Sequence, residues 1–210
     1  MGHGLGGLEA LKVRPLTFGT LVSEIVSRIS SMDGRVRVLI DGAPAAGPGT
    51  LADAVVEPLR ALGRSVQRVS TEDFLRPVSV RLEHGRTDPY SYRHDWFDFG
   101  GLQREVLDPA LDGKVLPSLW NAATDRASRA EYVDVPENGV VIVDGTLLLD
   151  RWLPAELTVH LWLSPGALKR KTAAQKPGEQ WTLPAFDDYE PVADLFVRYD
   201  HPDRPGLVES

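Results

Sequence analysis

Residues 35–52 read RVRVLIDGAPAAGPGTLA, and the fold turns on this stretch. Residues 35–41 alternate and then become continuously apolar, the pattern of a strand buried between two helical layers. A glycine-rich loop at 42–49 follows at once, and residues 50–62 read as a helix carrying Pro58. Upstream, Phe18, Leu21, Val22, Ile25, Val26 and Ile29 recur at helical spacing behind Thr17, a capping residue. Downstream, Ser65–Ser70 (SVQRVS) is a second strand, which delivers Glu72 and Asp73 at its carboxyl end. Strand, loop, helix and strand in that order imply a right-handed parallel crossover.

The same alternation continues. Residues 140–144 (VVIVD) and 157–163 (LTVHLWL) read as buried strands, 129–135 as a further strand, and 195–197 as the last strand before a polar tail. Leu102, Val106, Leu107 and Leu111 mark another helix, and a basic helix begins near Pro165. With no internal repeat or linker, this is an α/β chain: one doubly wound parallel sheet with helices on both faces. Residues 1–12 are glycine-rich and read as a flexible leader, leaving 13–210 as a single domain.

Composition narrows the chemistry. The chain has no cysteine, which excludes disulfides, thiolate nucleophiles and cysteine-bound zinc. A formal charge of −7 with dispersed basic residues argues against nucleic acid as a partner. No apolar run approaches the length needed to span a bilayer, so a cytoplasmic protein with no membrane partner is expected. Trp152, Trp162 and Trp181 fit either a homo-oligomer interface or a core.

The loop at 42–49 stands where a phosphate-binding loop belongs, after a buried strand and before a helix. The working form is G-x-x-x-x-G-K-[ST]: converging amides hold phosphate, the lysine neutralises it, and the hydroxyl holds magnesium. Gly42 and Gly47 keep the frame, with Ala45, Ala46, Pro48, Gly49, Thr50 and Leu51 completing the candidate phosphate site. Pro48, however, stands at the lysine position and Gly49 at the hydroxyl position. A cation, a metal ligand and one amide donor are therefore missing together. At about 3 kcal/mol for each positioned group, losing two slows phosphoryl transfer on the order of 10⁴-fold. On the loop residues alone, Gly-Pro-Gly is equally a tight turn into a helix.

The chain resembles the uridine kinase family, particularly the bacterial uridine-kinase-like P-loop nucleoside kinases. The matching pieces are Val13-Arg14-Pro15-Leu16, Arg35-Val36-Arg37-Val38 leading into Asp41-Gly42, Thr50-Leu51-Ala52, and residues 69–77 (VSTEDFLRP). Tyr92 to Leu102, Leu107-Asp108-Pro109, residues 140–145 (VVIVDG) and Ala193-Asp194-Leu195 continue the family order as far as about Leu207. The resemblance implies ATP- and Mg²⁺-dependent phosphoryl transfer to a nucleoside or similar small alcohol. It puts Glu72, where aspartate is usual, in the place of the catalytic base, with Asp73 beside it. These acids also suit a helix cap. The resemblance further gives Asp144 the magnesium-orienting position of the Walker B acid, with Thr50 as the remaining hydroxyl for the metal. The acceptor pocket falls on Arg76, Tyr90, Tyr92, Arg93, His94 and Asp95. Lys169, Arg170 and Lys171 open a shortened lid, although a basic helix surface would read the same way.

Three readings follow. The first is a catalytically impaired binder of a nucleotide or another small ligand. The second is an active phosphotransferase in which Lys169, Arg170, Lys171 or Arg76 supplies the missing charge. The third is a scaffold that keeps only the fold.

Overall fold

A computed structural model describes residues 12–209 of the chain; the expected leader, apart from Lys12, lies outside the described residues. Seven strands form the main sheet: β1 (Lys12–Pro15), β2 (Val36–Gly42), β3 (Ser65–Ser70), β4 (Gly139–Gly145), β5 (Leu157–Trp162), β6 (Leu195–Arg198) and β7 (Gly206–Glu209). Their order is β1-β7-β6-β5-β2-β4-β3. The run from β6 to β3 is parallel throughout. At the other edge, β7 lies antiparallel to both β6 and β1.

Two expectations need correcting. Residues 195–197 do not form the last strand, because Gly206–Glu209 returns to pair with β6 and β1. Residues 129–135 are not a continuous strand either. Only Val133–Asp134 pairs, with Lys114–Val115, and both of its residues are exposed. A short run with one buried side chain, Val135, gains too little from burial to hold a longer ladder.

Helices cover both faces. Helix α1 (Phe18–Ser30) starts where Thr17 Oγ1 accepts the Thr20 amide at 3.1 Å. Helix α2 (Pro48–Ala61) starts earlier than expected, because Pro48 is tolerated in a first turn whose amides have no helical partner. Leu21, Ile25 and Ile29 of α1 and Leu51, Val55 and Leu59 of α2 pack on Val38, Ile40, Val140 and Ile142. On the opposite face Leu102, Val106 and Leu107, from a helical stretch at 99–110, cover Leu39, Val69, Val141 and Val143. Each such side chain contributes about 1.5–3 kcal/mol by burial. This explains why the central strands read as unbroken apolar runs. No helix among the described residues is long and apolar enough to cross a membrane.

Arg37 ties the layers together below the site. Its Nη2 donates to Glu156 Oε1 at 2.6 Å, its Nε and its amide donate to Oε2 at 3.1 and 2.7 Å, and its Nη1 reaches the Leu107 carbonyl at 3.2 Å. Burial raises the Glu156 carboxyl, but the Arg37 donors more than reverse this and hold it below its ordinary range. The stabilisation is therefore complete above the unfolded carboxylate pKa, near ~4.3, and is lost as pH falls through the lower folded value. Glu156→Gln is expected to cost about 1–2 kcal/mol at pH 7, the lower end for a charge-assisted contact that is partly screened by solvent. In urea melts, the gap between variant and wild type should close as the pH falls below the ordinary carboxylate range.

Candidate functional site

Parallel register brings three strand ends together: Asp41 lies opposite Gly145 and His160, and Ser70 lies opposite Asp144. Beyond Gly42 the chain makes one tight turn at Pro44–Ala46. It then reverses through Gly47, whose φ of 71° is a left-handed conformation that favours glycine, and enters α2 at Pro48. Several of the loop amides are spent internally. Ala46 donates to the Ala43 carbonyl at 2.7 Å, Gly47 to Pro44 at 3.1 Å, and Thr50 and Leu51 to Gly47 at 3.0 and 3.4 Å. Pro44 and Pro48 have no N–H to give. Ala43, Ala45 and Gly49 are left as the loop amides without a backbone partner.

The space beside Gly49 is filled by Arg68. A Cβ at position 49 would lie 2.8 Å from Arg68 Nη2 and 3.1 Å from Asp144 Oδ2. Arg68 donates to both carboxylate oxygens of Asp144, Nε to Oδ1 at 2.6 Å and Nη2 to Oδ2 at 2.9 Å, while its Nη1 reaches Asp53 Oδ1 at 2.8 Å. The Asp144 side chain is only 4% exposed. Its burial pushes the carboxyl up while Arg68 pulls it down, burial being the larger effect; Asp144 in turn holds the guanidinium more firmly charged.

This donor set does not fit a magnesium ion. The metal needs oxygen ligands in near-octahedral array, yet both Asp144 oxygens face a guanidinium and residue 49 has no side chain. The Thr50 hydroxyl lies against Gly47 rather than at this point. Among the described residues, no group of three or more His, Cys, Asp or Glu is arranged to hold a metal.

Glu72 and Asp73 lie on the turn Thr71–Phe74 directly after β3, capped by Ser70 Oγ, which accepts the Glu72 amide at 3.3 Å. Glu72 keeps contact with water, but the protein packed around it desolvates the carboxylate and raises its pKa; Lys176 opposes that shift and Glu179 adds to it. Asp73 is also raised by desolvation, offset in part by Ser70 and Ser118. Raised carboxyls just past a strand's carboxyl end suit general acid–base work. The turn is held by Thr71, which is buried against Gly145, where any Cβ would overlap its side chain.

The acceptor-pocket candidates separate into three groups. Tyr92 is buried in an aromatic cluster with Trp96, Phe97, Trp181 and Phe186. Arg93 donates to the carbonyls of Ala185 and Asp188 at 3.2 Å and pairs with Asp150, while Arg76 pairs with Asp95 at 3.3 Å. Tyr90 is exposed and stacks on His94, ring centroids 4.4 Å apart.

Of the lid candidates on α3 (Pro165–Gln175), Lys169 and Arg170 are exposed, and Lys171 Nζ donates to the Tyr199 carbonyl at 3.1 Å. Trp152 is 94% exposed, Trp162 lies beside Phe196, and Trp181 belongs to the aromatic cluster.

A buried network with no motif in the sequence lies at the root of the loop. Asp41, fully buried, accepts the Leu148 amide at 2.9 Å, the Tyr189 hydroxyl at 2.9 Å and a contact from His160 Nδ1 at 2.6 Å. Tyr189 accepts the Leu149 amide at 3.0 Å, and burial, reinforced by Asp41, holds its phenol protonated far above the ordinary range. His160 and Tyr189 line a cavity of about 280 Å³ together with Ala43, Trp162, Leu168 and Phe186. The available signal was a histidine inside an otherwise apolar strand. For Arg68, it was an arginine in β3 on the same face as the strand-ending acid.

No protein-family model matches the sequence, and neither does any curated protein. Solved structures do resemble the fold. A possible uridine kinase from Bacillus stearothermophilus superimposes with a TM-score of 0.66 at 18% identity, covering 85% of this chain and 97% of its own. A protein from Silicibacter sp. TM1040 assigned to a fructose transport system kinase gives 0.68 at 23% identity, over 86% and 98%. At such identities the likeness speaks for architecture alone, and with the strand–loop–helix geometry it gives this chain the α/β fold of the P-loop kinases.

Proposed function

We propose that this chain binds a nucleotide or another phosphate-bearing small molecule at the 42–51 loop and has lost rapid phosphoryl transfer. The observation that carries the reading is Arg68, which neutralises the Walker B acid at the point where Gly49 offers no metal ligand. Binding rests on less than in a complete loop: the Ala45 and Gly49 amides, the leading end of α2, and those guanidinium N–H groups not used by Asp144 and Asp53. In this reading Glu72 and Asp73 are remnants of the acceptor-side base, and the 90–95 region is the ligand pocket. The absence of cysteine is in keeping with work in the cytoplasm.

A second reading, active transfer with a relocated cation, draws on the raised carboxyls of Glu72 and Asp73. It has less support, because Lys171 and Arg76 are engaged elsewhere. The test pairs binding with turnover. In a thermal-shift titration, ADP or ATP at about 100 times Kd is expected to stabilise the protein by about 2.7 kcal/mol. Product formation over a nucleoside panel is expected to fall about 10⁴-fold below the ~1–100 s⁻¹ typical of kinases. Turnover in that ordinary range would overturn the reading, and no stabilisation by any phosphate compound would leave the scaffold.

A further inference from the structure

In a phosphoryl-transfer site of this fold, a divalent ion sits between the hydroxyl on the first turn of the loop helix and the acid ending the neighbouring strand. Here that interval is spanned by one guanidinium. Arg68 Nη2 is 2.9 Å from Asp144 Oδ2 and 2.8 Å from where a side chain at 49 would begin. We infer that Arg68 replaces the metal, so that the phosphate-bearing ligand of this loop is taken up as the bare anion rather than as its magnesium complex. The inference rests on the phosphate reading given above.

Three features support the exchange as a built arrangement. The contact is bidentate, the geometry that matches a planar guanidinium to a carboxylate and is difficult for a metal to displace. Asp53, one turn into α2, holds the remaining terminal nitrogen at 2.8 Å and so fixes the plane of the group. Strand register supplies the approach: Arg68 pairs opposite Ile142 and Ser70 opposite Asp144, so Arg68 and Asp144 stand diagonally on one sheet face, the face that α2 covers. A side chain at 49 would force Nη2 to move, so glycine at that position is what lets the guanidinium stand there. A guanidinium has more N–H groups than these three contacts use, and the spare ones remain available to an anion. A magnesium–polyphosphate complex would bring a second cation against the first, so magnesium should compete with binding rather than promote it.

Two titrations test this on the full-length protein. Mn²⁺, which favours the same oxygen ligands as Mg²⁺, is followed by electron paramagnetic resonance. Wild type is expected to bind no Mn²⁺ below about 1 mM. Arg68→Ala combined with Gly49→Thr, which restores the hydroxyl, is expected to gain one site, lost again when Asp144→Asn is added. A wild-type Mn²⁺ site that weakens in Asp144→Asn would overturn the inference, as would a Gly49→Thr/Arg68→Ala protein that folds and gains no site. The wild-type and Asp144→Asn titrations decide the question even if the double variant does not fold. In the second titration, inorganic pyrophosphate is added calorimetrically to wild type in EDTA and in excess Mg²⁺. Binding about tenfold tighter in EDTA is expected, and equal or tighter binding in Mg²⁺ contradicts the inference. Pyrophosphate that binds in neither buffer refutes the phosphate reading of the loop, and the Mn²⁺ result then stands by itself.

Discussion

Replacing Asp41 by alanine is expected to cost about 3–5 kcal/mol of folding stability, a large share of the ~5–15 kcal/mol that holds a domain together. The side chain is fully buried and receives the Leu148 amide, the Tyr189 hydroxyl and the His160 ring at once. Alanine takes the acceptor away from these donors inside the protein, and each unsatisfied polar group costs about 1–3 kcal/mol. Asp41→Asn keeps an oxygen for the Leu148 amide and is expected to lose only about half as much. Urea midpoints with an unchanged m-value provide the measurement. If alanine and asparagine proved equally mild, Asp41 would be no hub. The consequence reaches the site, because Leu148 follows Gly145 by three residues and Tyr189 follows the short helical segment carrying Trp181. Losing Asp41 therefore slackens the loop strand, the end of β4 and the cover of the 280 Å³ cavity together.

The parallel core was legible because its signals are strong and local. Strands β2 and β4 are buried on both faces, so their sequences cannot alternate, and a continuous apolar run ending in an acid and a glycine has few other readings. Strands β1 and β7 escaped notice for the opposite reason. Lys12–Pro15, the edge strand, and its neighbour Gly206–Glu209 are four residues each and pair across nearly the whole chain, so neither has a periodicity to detect. The same division holds within the site. Which residues the loop lacks was plain from Pro48 and Gly49. What fills the space was not, because Arg68 and Asp144 are 76 residues apart and meet only through register. The substrate-side candidates, Arg76 and residues 90–95, are neighbours in sequence, but the structure spends them on different partners, with Tyr92 in a core and Arg93 and Arg76 in local pairs.

Restoring the loop by its own consensus alone is expected to fail. Pro48→Lys with Gly49→Thr returns an ammonium, an amide donor and a hydroxyl, which on loop residues alone should bring back MgADP binding. In the folded protein the new Cβ at 49 would stand 2.8 Å from a guanidinium held in place by Asp144 and Asp53, and the metal would still find both Asp144 oxygens taken. The double variant is therefore expected to bind MgADP within about threefold of wild type, a difference worth less than 1 kcal/mol. Adding Arg68→Ala clears the space and frees the carboxylate. The triple variant is expected to gain about 100-fold in MgADP affinity, or about 2.7 kcal/mol, the contribution of one or two charge-assisted contacts. Calorimetry on the wild type, the Arg68→Ala single variant, the double and the triple, each checked for folding by circular dichroism, separates the contributions. A double variant that matches the triple would mean that Arg68 swings aside freely. Arg68→Ala alone reaching the same affinity would mean that the lost lysine and hydroxyl never mattered. The expected pattern, with neither change sufficient and both together effective, is the non-additivity of groups that share one site. It also gives a physical reason for glycine at 49: with the arginine paired to Asp144, a side chain there would have to displace the guanidinium.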